Sequence, residues 1–237
     1  MIDGESDGGE SRFKLTENLK VLYSSEKISL QEENCMSTNR DFFYRKLHSL
    51  LGVVPIGVFL IIHFLINYQA VSGAESYNAA AGIMEYIPFL LVVEFVVIYI
   101  PILYHGIYGI YLAFQAKHNT SDYGYFRNWM FRLQRITGII TIIFVAWHVW
   151  DTRIQKALGA EVNFNMVADI VENPVFLVLY IIGITSAAFH FANGLWSFAI
   201  TWGITMSPRS QKISTYVTMG VFVIVAFIGV SAILAFA

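Results

Sequence analysis

Cysteine is nearly absent from the sequence, and its scarcity excludes several kinds of site. With one cysteine, Cys35, the chain cannot form an internal disulfide framework, a cysteine-rich zinc or iron–sulfur site, or the paired attachment of a c-type haem. Any haem bound by this chain is therefore held without covalent linkage.

Charge is also scarce, and the few charged residues are unevenly spread. Only 14% of the 237 residues are charged, the net charge is −2, and 56% are hydrophobic. The chain is too apolar, and its apolar residues are too unevenly distributed, for a single soluble core. The basic residues lie in short loops rather than in a stripe, so nothing indicates a nucleic-acid partner. The composition predicts a membrane protein.

The first 35 residues differ from the rest of the chain. They are polar, rich in Glu, Ser and Gly, and lack the apolar run of a signal peptide. We expect residues 1–35 to be a disordered N-terminal extension without a function of its own. The domain proper covers residues 36–237 and starts with MSTNRDFFYRKLHSLLG.

Five apolar stretches follow, each close to the roughly 20 residues that cross a hydrocarbon core as a helix. They lie at about 47–68, 87–114, 133–150, 174–203 and 214–236. The pattern predicts an all-α integral membrane bundle of five transmembrane helices. The fifth stretch carries no histidine and no charge in its apolar part, so we assign it to packing and lipid contact.

The basic residues also predict the orientation of the chain. Lysine and arginine in short loops gather on the cytoplasmic side of a membrane. One side of the predicted bundle carries Arg40, Arg45, Lys46, Lys117, Arg127, Arg132, Arg135, Arg209 and Lys212, and the other side carries Arg153 and Lys156. We therefore expect a multi-pass protein of the cytoplasmic membrane with its N-terminus in the cytoplasm and its C-terminus outside.

The first two predicted helices resemble the third and fourth. The first and third carry LHSLLG and LQRITG ahead of a histidine, and the second and fourth carry HGIYG and HFANG. The two histidines of each half are 42 residues apart. These matches indicate an internal repeat of two helices. If the halves are related by a pseudo-two-fold axis along the membrane normal, equivalent residues face each other across it.

Each of the first four predicted helices carries one histidine at membrane depth: His63, His105, His148 and His190. Ionisable residues are costly to bury in lipid and usually serve a function there. Counting the helical rise places His63 and His148 in an outer layer, and His105 and His190 in an inner layer. Two facing imidazoles can occupy both axial positions of a haem iron, which favours electron transfer. The pattern predicts two stacked haems in a four-helix core.

Other interpretations of these histidines stay open at this point. The four side chains could hydrogen-bond between helices or relay protons. A zinc or copper site is less favoured, because the layers separate the ligands into pairs that lack a neighbouring cysteine or carboxylate.

Several nearby residues fit a haem core. Gly109 and Gly194, four residues after their histidines, leave room for a flat macrocycle or a neighbouring helix. Thr137 faces the same way as His148, at the depth of the inner layer. Pro101 removes a backbone donor and is expected to bend its helix.

Six motifs carry a resemblance to a known family: RKLHSLLG, YHGIYGIY, YFRNWMFRLQRITG, WHVWDTRI, FHFANGLWSF and TWGITMSPRSQKISTY. From Met36 onward the chain resembles the cytochrome b anchor of Bacillus-type succinate dehydrogenases, which are di-haem succinate:menaquinone reductases, and more distantly that of di-haem fumarate reductases. The resemblance implies that the four histidines ligate two haems b. It further implies a partner flavoprotein with FAD, a partner iron–sulfur subunit, and electron transfer to menaquinone.

Further site residues follow from this resemblance. His48, Ser49 and Arg135 are candidates for contacts with haem propionates. Glu94 is the candidate proton partner of a quinone near the outer haem; alternatively, it is a carboxylate that reaches the membrane interface. The basic loop residues could dock the partner subunits or could serve only as topology signals; they are Arg127, Arg132, Arg135, Arg209 and Lys212.

Two rival functions remain. One is another haem-bearing quinone oxidoreductase subunit, such as that of a fumarate reductase, a nitrate reductase or a bc-type cytochrome b. The bc type places two ligands on each of two helices, unlike the one per helix found here. The other rival is a haem-free transporter or scaffold with a histidine proton relay. The direction of the physiological reaction stays open.

Overall fold

The computed structural model describes residues 38–115 and 120–237. The predicted N-terminal extension lies outside the described residues. Contacts divide the chain into two units, Met1–Arg45 and Lys46–Ala237. In the first unit, the described residues are helical, and the rings of Phe43 and Tyr44 meet edge to face at 5.9 Å.

Among the described residues, five helices are long and apolar enough to cross a membrane, as predicted. They are α1 (Thr38–Ser72), α3 (Leu90–Gln115), α4 (Phe126–Ala157), α6 (Pro174–Thr201) and α7 (Pro208–Leu234). Two shorter helices lie in the connections: α2 (Ala74–Gly82) and α5 (Phe164–Val171).

Several helices extend beyond the apolar stretches that predict them. The first was expected from residue 47 and the third over 133–150, whereas α1 spans Thr38–Ser72 and α4 spans Phe126–Ala157. Charged and polar residues at the membrane interface are well hydrated, yet their backbone can continue the helical hydrogen bonds. Apolar runs therefore mark the lipid-crossing part of each helix but not its ends.

The starts of α6 and α7 follow from local sequence. Asn173 accepts a hydrogen bond from the Val175 backbone N–H and is followed by a proline at the first helical position. Ser207 forms a capping box with Ser210, again followed by proline. These caps supply partners for backbone donors that the first turn of a helix leaves unsatisfied.

Small residues allow α6 to occupy the centre of the bundle. Ala188 and Ala192 of this helix are fully buried. Helix α7 packs beside it, burying Val225 and Ile233 while exposing Phe227. The packing expected for the fifth span is therefore present, and its exposed apolar face suits the contact with lipid that stays a prediction.

Helix α3 contains a π-helical turn at Phe95–Tyr99, directly before Pro101. Proline lacks the N–H that would continue the α-helical hydrogen bonds. The π turn therefore ends two residues before Pro101, and the expected bend of the helix at this proline stays a prediction. A second π turn, Trp150–Ile154, lies in α4.

The two ends of the bundle differ in charge and in the residues that pack there. At one end, which we call the basic end, the start of α4 meets α6 and α7, because Arg127 lies over the Trp196 ring and donates to Thr215. Lys46 of α1 lies over the ring of Trp202, which follows the end of α6. At the opposite end, the Phe236 ring packs against Tyr77 at 5.0 Å and against Phe164 at 4.8 Å. This cluster ties α2 and α5 to the end of α7.

Candidate functional site

The four membrane histidines form two facing pairs, as the repeat predicts. The rings of His105 and His190 have centroids 6.0 Å apart and an interplanar angle of 84°. Those of His63 and His148 are 5.8 Å apart at 73°. The first pair lies towards the basic end of the bundle and the second towards the opposite end.

These separations fit a metal between two imidazoles. A metal–imidazole bond is about 2 Å long, and a ring nitrogen lies roughly 1 Å from the ring centre, so two axial rings on one metal have centroids about 6 Å apart. Both pairs match this distance. Among the described residues, no group of three or more His, Cys, Asp or Glu is placed to hold a metal ion. The pairs therefore fit haem iron, whose other four ligands come from the porphyrin.

The inner histidines are held by backbone carbonyls at equivalent positions of the two halves. His105 Nδ1 lies 2.9 Å from the carbonyl oxygen of His48, and His190 Nδ1 lies 3.0 Å from that of Gln134. A carbonyl only accepts, so each Nδ1 carries the hydrogen and donates it. The Nε2 lone pair of each ring then stays available for a metal.

Two glycines make room for these rings. A Cβ atom added to Gly52 would collide with the His105 ring, and one added to Gly138 would lie 2.8 Å from His190 Cε1. Each glycine follows the residue that supplies the carbonyl by four positions, on the same helix face. The two halves thus build the same support, which confirms the internal repeat at the inner layer.

The outer pair has a different support in each half. His148 Nδ1 lies 3.3 Å from the hydroxyl of Tyr180. The Asn67 amide donates to the His63 carbonyl at 2.8 Å and lies 3.4 Å from His63 Nε2. The shorter bond holds Asn67 in place whether or not Nε2 binds a metal.

The three candidates for propionate contact lie near the inner pair. The His48 ring stacks on His105 with centroids 4.1 Å apart and planes inclined by 3°. Ser49 follows it and is half-buried. Arg135 donates from Nη1 to the Phe131 carbonyl at 2.7 Å, and its buried Nε has no hydrogen-bond partner among the described residues. A buried guanidinium donor of this kind suits a carboxylate ligand.

Glu94 lies at the opposite end and forms an ion pair. Its Oε2 accepts from Arg153 at 2.8 Å (Nη2) and 3.0 Å (Nε), with side chains 17% and 28% exposed. The two π turns border this pair: one begins directly after Glu94 and the other contains Arg153. Such turns frequently occur at functional sites.

The sequence analysis missed Gln134 and Tyr180 as partners of the histidines. Gln134 could have been found, because it occupies in LQRITG the position that His48 occupies in LHSLLG. Gly109 and Gly194 serve close packing of the helices, since a Cβ added to them would lie 3.1 Å from His48 Nε2 and 3.5 Å from Gln134 Nε2. The Thr137 hydroxyl donates to the Leu133 carbonyl of its own helix at 2.8 Å.

Comparison with known proteins identifies the family of this chain. The family model for the succinate dehydrogenase/fumarate reductase transmembrane subunit matches residues 123–230. The chain is also similar to the succinate dehydrogenase cytochrome b558 subunit of Bacillus subtilis (strain 168), with 57% identity over 201 residues, which cover 85% of this chain and 100% of that protein. The chain therefore belongs to the family of transmembrane subunits of succinate dehydrogenase and fumarate reductase.

Proposed function

We propose that this chain is the di-haem cytochrome b anchor of a succinate dehydrogenase and passes electrons from an iron–sulfur partner subunit to menaquinone. The observation that carries the proposal is the presence of two facing histidine pairs, 5.8 Å and 6.0 Å apart, in separate layers of one bundle. The name of the Bacillus subtilis relative, a succinate dehydrogenase cytochrome b558 subunit, supports it.

Each pair would hold one haem b, with His63 and His148 holding one and His105 and His190 holding the other. A haem ligated in this way supplies one-electron transfer without an open position for oxygen. The chain's own residues fix the rings: the carbonyls of His48 and Gln134 orient the inner pair, and Tyr180 contacts His148. In this arrangement Arg135, with its buried Nε, is a candidate for a propionate contact together with His48 and Ser49.

We place the menaquinone site near Glu94, at the opposite end. Quinone reduction takes up protons, and Glu94 is a carboxylate close to the end of the bundle that holds the outer pair. Its Oε2 accepts two hydrogen bonds from Arg153, which hold the carboxyl group in place at this end of the bundle. The flanking π turns support a functional role for this region.

The basic end would face the cytoplasm and dock the iron–sulfur subunit, which in turn carries the FAD-containing flavoprotein. At the opposite end, the cations Arg153 and Lys156 pair with Glu94 and Glu85. Arg127 and Arg132, at the basic end, donate instead to hydroxyls of Thr215 and Thr120 and keep their charge uncompensated by those partners. This asymmetry supports the cytoplasmic assignment.

If the basic end faces the cytoplasm, a membrane-impermeant maleimide should label Cys35 in inverted vesicles and not in intact cells.

The proposal is tested by removing one ligand from each layer. His63→Leu and His105→Leu, expressed with the partner subunits, should each lose one distinct component of the dithionite-reduced b-type spectrum. His118→Leu is the control, because the sequence has His118 between the second and third apolar stretches, and both components should be retained. The assignment is contradicted if His63→Leu and His105→Leu lose the same component, or if neither variant loses a component.

A further inference from the structure

A groove at the basic end is not used by the proposed electron-transfer site. It lies between the starts of α4 and α7 and the end of α6, and its volume is about 510 Å³. Its polar wall includes Arg127, Lys212 and Thr215, and its less polar wall includes Trp196, Tyr216 and Met219. The groove therefore joins a cationic region to an aromatic and apolar one.

The guanidinium of Arg127 is fixed in this groove by a network of neighbours. It lies 3.8 Å from the centroid of the Trp196 ring and donates from Nη2 to the Thr215 hydroxyl at 3.1 Å. The Gln211 carbonyl accepts from both the Trp196 indole, at 3.2 Å, and the Thr215 hydroxyl, at 2.9 Å. Stacking and hydrogen bonding of this kind hold an arginine in position before a ligand arrives.

The charge of the groove favours an anion. In the part of the chain that the structure describes, Arg127 and Lys212 are the charged residues of the lining, and no carboxylate lines the groove. The other hydrogen-bonding groups of Arg127 can bind phosphate oxygens while Nη2 stays on Thr215. Lys212 is exposed and adds a second, more flexible cation.

The direction of the groove favours an amphipathic anion. Lys212, Tyr216 and Met219 lie along one side of α7, so the lining extends roughly 10 Å from the polar end into the membrane-crossing helix, at about 1.5 Å per residue. Tyr216 is 67% exposed and Phe126 is 52% exposed, and both provide aromatic surface beside the cations. Aromatic residues with basic neighbours are typical of the level of lipid headgroups.

We propose that this groove binds the phosphate headgroup of an anionic phospholipid, with an acyl chain lying against Tyr216 and Met219. Arg127 and Lys212 bind the phosphate, and the network through Thr215 and Gln211 positions Arg127. A quinone is a poorer occupant, because no carboxylate or histidine among the described residues of the lining could exchange protons with it.

The test measures which lipids stay bound to the full-length chain, purified with its partner subunits and exchanged into mixed micelles of phosphatidylglycerol and phosphatidylcholine. Native mass spectrometry should detect retained phosphatidylglycerol on the wild-type protein. The double variant Arg127→Gln/Lys212→Gln should retain it about tenfold more weakly. Thr215→Val, which only releases Arg127, should give an intermediate loss.

Arg209→Gln is the matched control, because Arg209 is exposed on the same end of α7 but does not line the groove. It should retain phosphatidylglycerol like the wild type, and the b-type absorbance of every variant confirms that the protein is folded. Equal retention by the double variant, equal retention of phosphatidylcholine, or displacement by millimolar inorganic phosphate would overturn the proposal. The proposal would also be overturned if the double variant lost the partner subunits or bound quinone while its retention of phosphatidylglycerol stayed unchanged.

Discussion

At the residue scale, the support of the inner histidines is the most regular feature of the molecule. In each half, one carbonyl accepts from the Nδ1 of a histidine, and a glycine four residues later leaves space for its ring. Neither helix could supply this support if the glycine carried a side chain. The residues that support these histidines are thus as restricted in type as the histidines themselves.

Gly138→Ala is predicted to disturb the inner histidine pair selectively. The added methyl would lie 2.8 Å from His190 Cε1 and 3.1 Å from Nδ1, so the ring must move away from the Gln134 carbonyl. We expect the variant to lose most of one spectral component, as His105→Leu does, while keeping the other. Reduced-minus-oxidised spectra with haem quantitation check this result.

Gly220→Ala provides the control for this substitution, because no atom of the described residues lies within 4 Å of a Cβ added there. It should keep both spectral components. Two full components in Gly138→Ala would show that the glycine does not constrain the ligand.

Glu94→Gln is predicted to slow quinone reduction by about a hundredfold, the usual size of a lost acid–base group, while both haem components stay intact. Arg153→Gln breaks the same ion pair but keeps the carboxylate, so it should slow turnover much less. The measurement is the rate of reduction of a menaquinone analogue by the assembled complex. Equal rates in the two variants would assign Glu94 a structural role only.

At the residue scale, some side-chain contacts could be predicted from the sequence and others could not. The four histidines and their pairing were predicted, because matched spacing in two halves places equivalent residues face to face. The ion pair between Glu94 and Arg153 was not, because it joins residues 59 apart in sequence that belong to different halves. A repeat predicts contacts between equivalent positions and gives no information about contacts that break its symmetry.

At the element scale, α7 holds the bundle together without taking part in the histidine layers. A Cβ added to Gly229 would lie 2.6 Å from Ile184 Cγ2 and 2.7 Å from Phe64 Cε2. Close approach of the backbone at this glycine therefore locks α7 against α1 and α6. Hydropathy predicted this helix correctly but could not identify the residue at which it packs.

Gly229→Ala is predicted to destabilise the bundle by about 1–3 kcal/mol through overpacking. Alanine has a higher helix propensity than glycine, so a loss of stability would come from packing rather than from helix formation. Thermal loss of b-type absorbance in detergent measures it, with Gly220→Ala on the same helix as the control. A Gly229→Ala protein as stable as the control would mean that the backbone moves to accept the methyl.

The connections illustrate the limits of pattern reading for short elements. Helices α2 and α5 were not predicted, because segments of nine and eight residues show too few turns for a reliable period. Their positions depend instead on tertiary contacts, such as the Asn78 side-chain oxygen that accepts from the Phe164 backbone N–H at 2.8 Å. Such contacts have no local signature in the sequence.

At the scale of the whole molecule, the bundle separates its tasks along the membrane normal. The basic end carries the arginines, the inner histidine pair and the lipid groove, and the opposite end carries the outer pair and the Glu94–Arg153 ion pair. Between the two ends lie the two layers of facing imidazoles, His105 with His190 and His63 with His148. This order is what transfer of electrons from one membrane face to the other requires.

The central claim, that each facing pair holds one haem, is tested most directly by counting haem. A pyridine haemochrome assay on the intact, purified complex, normalised to the amount of this chain by amino-acid analysis, should give two haems b per chain. One haem or none per chain in well-assembled material would contradict the account.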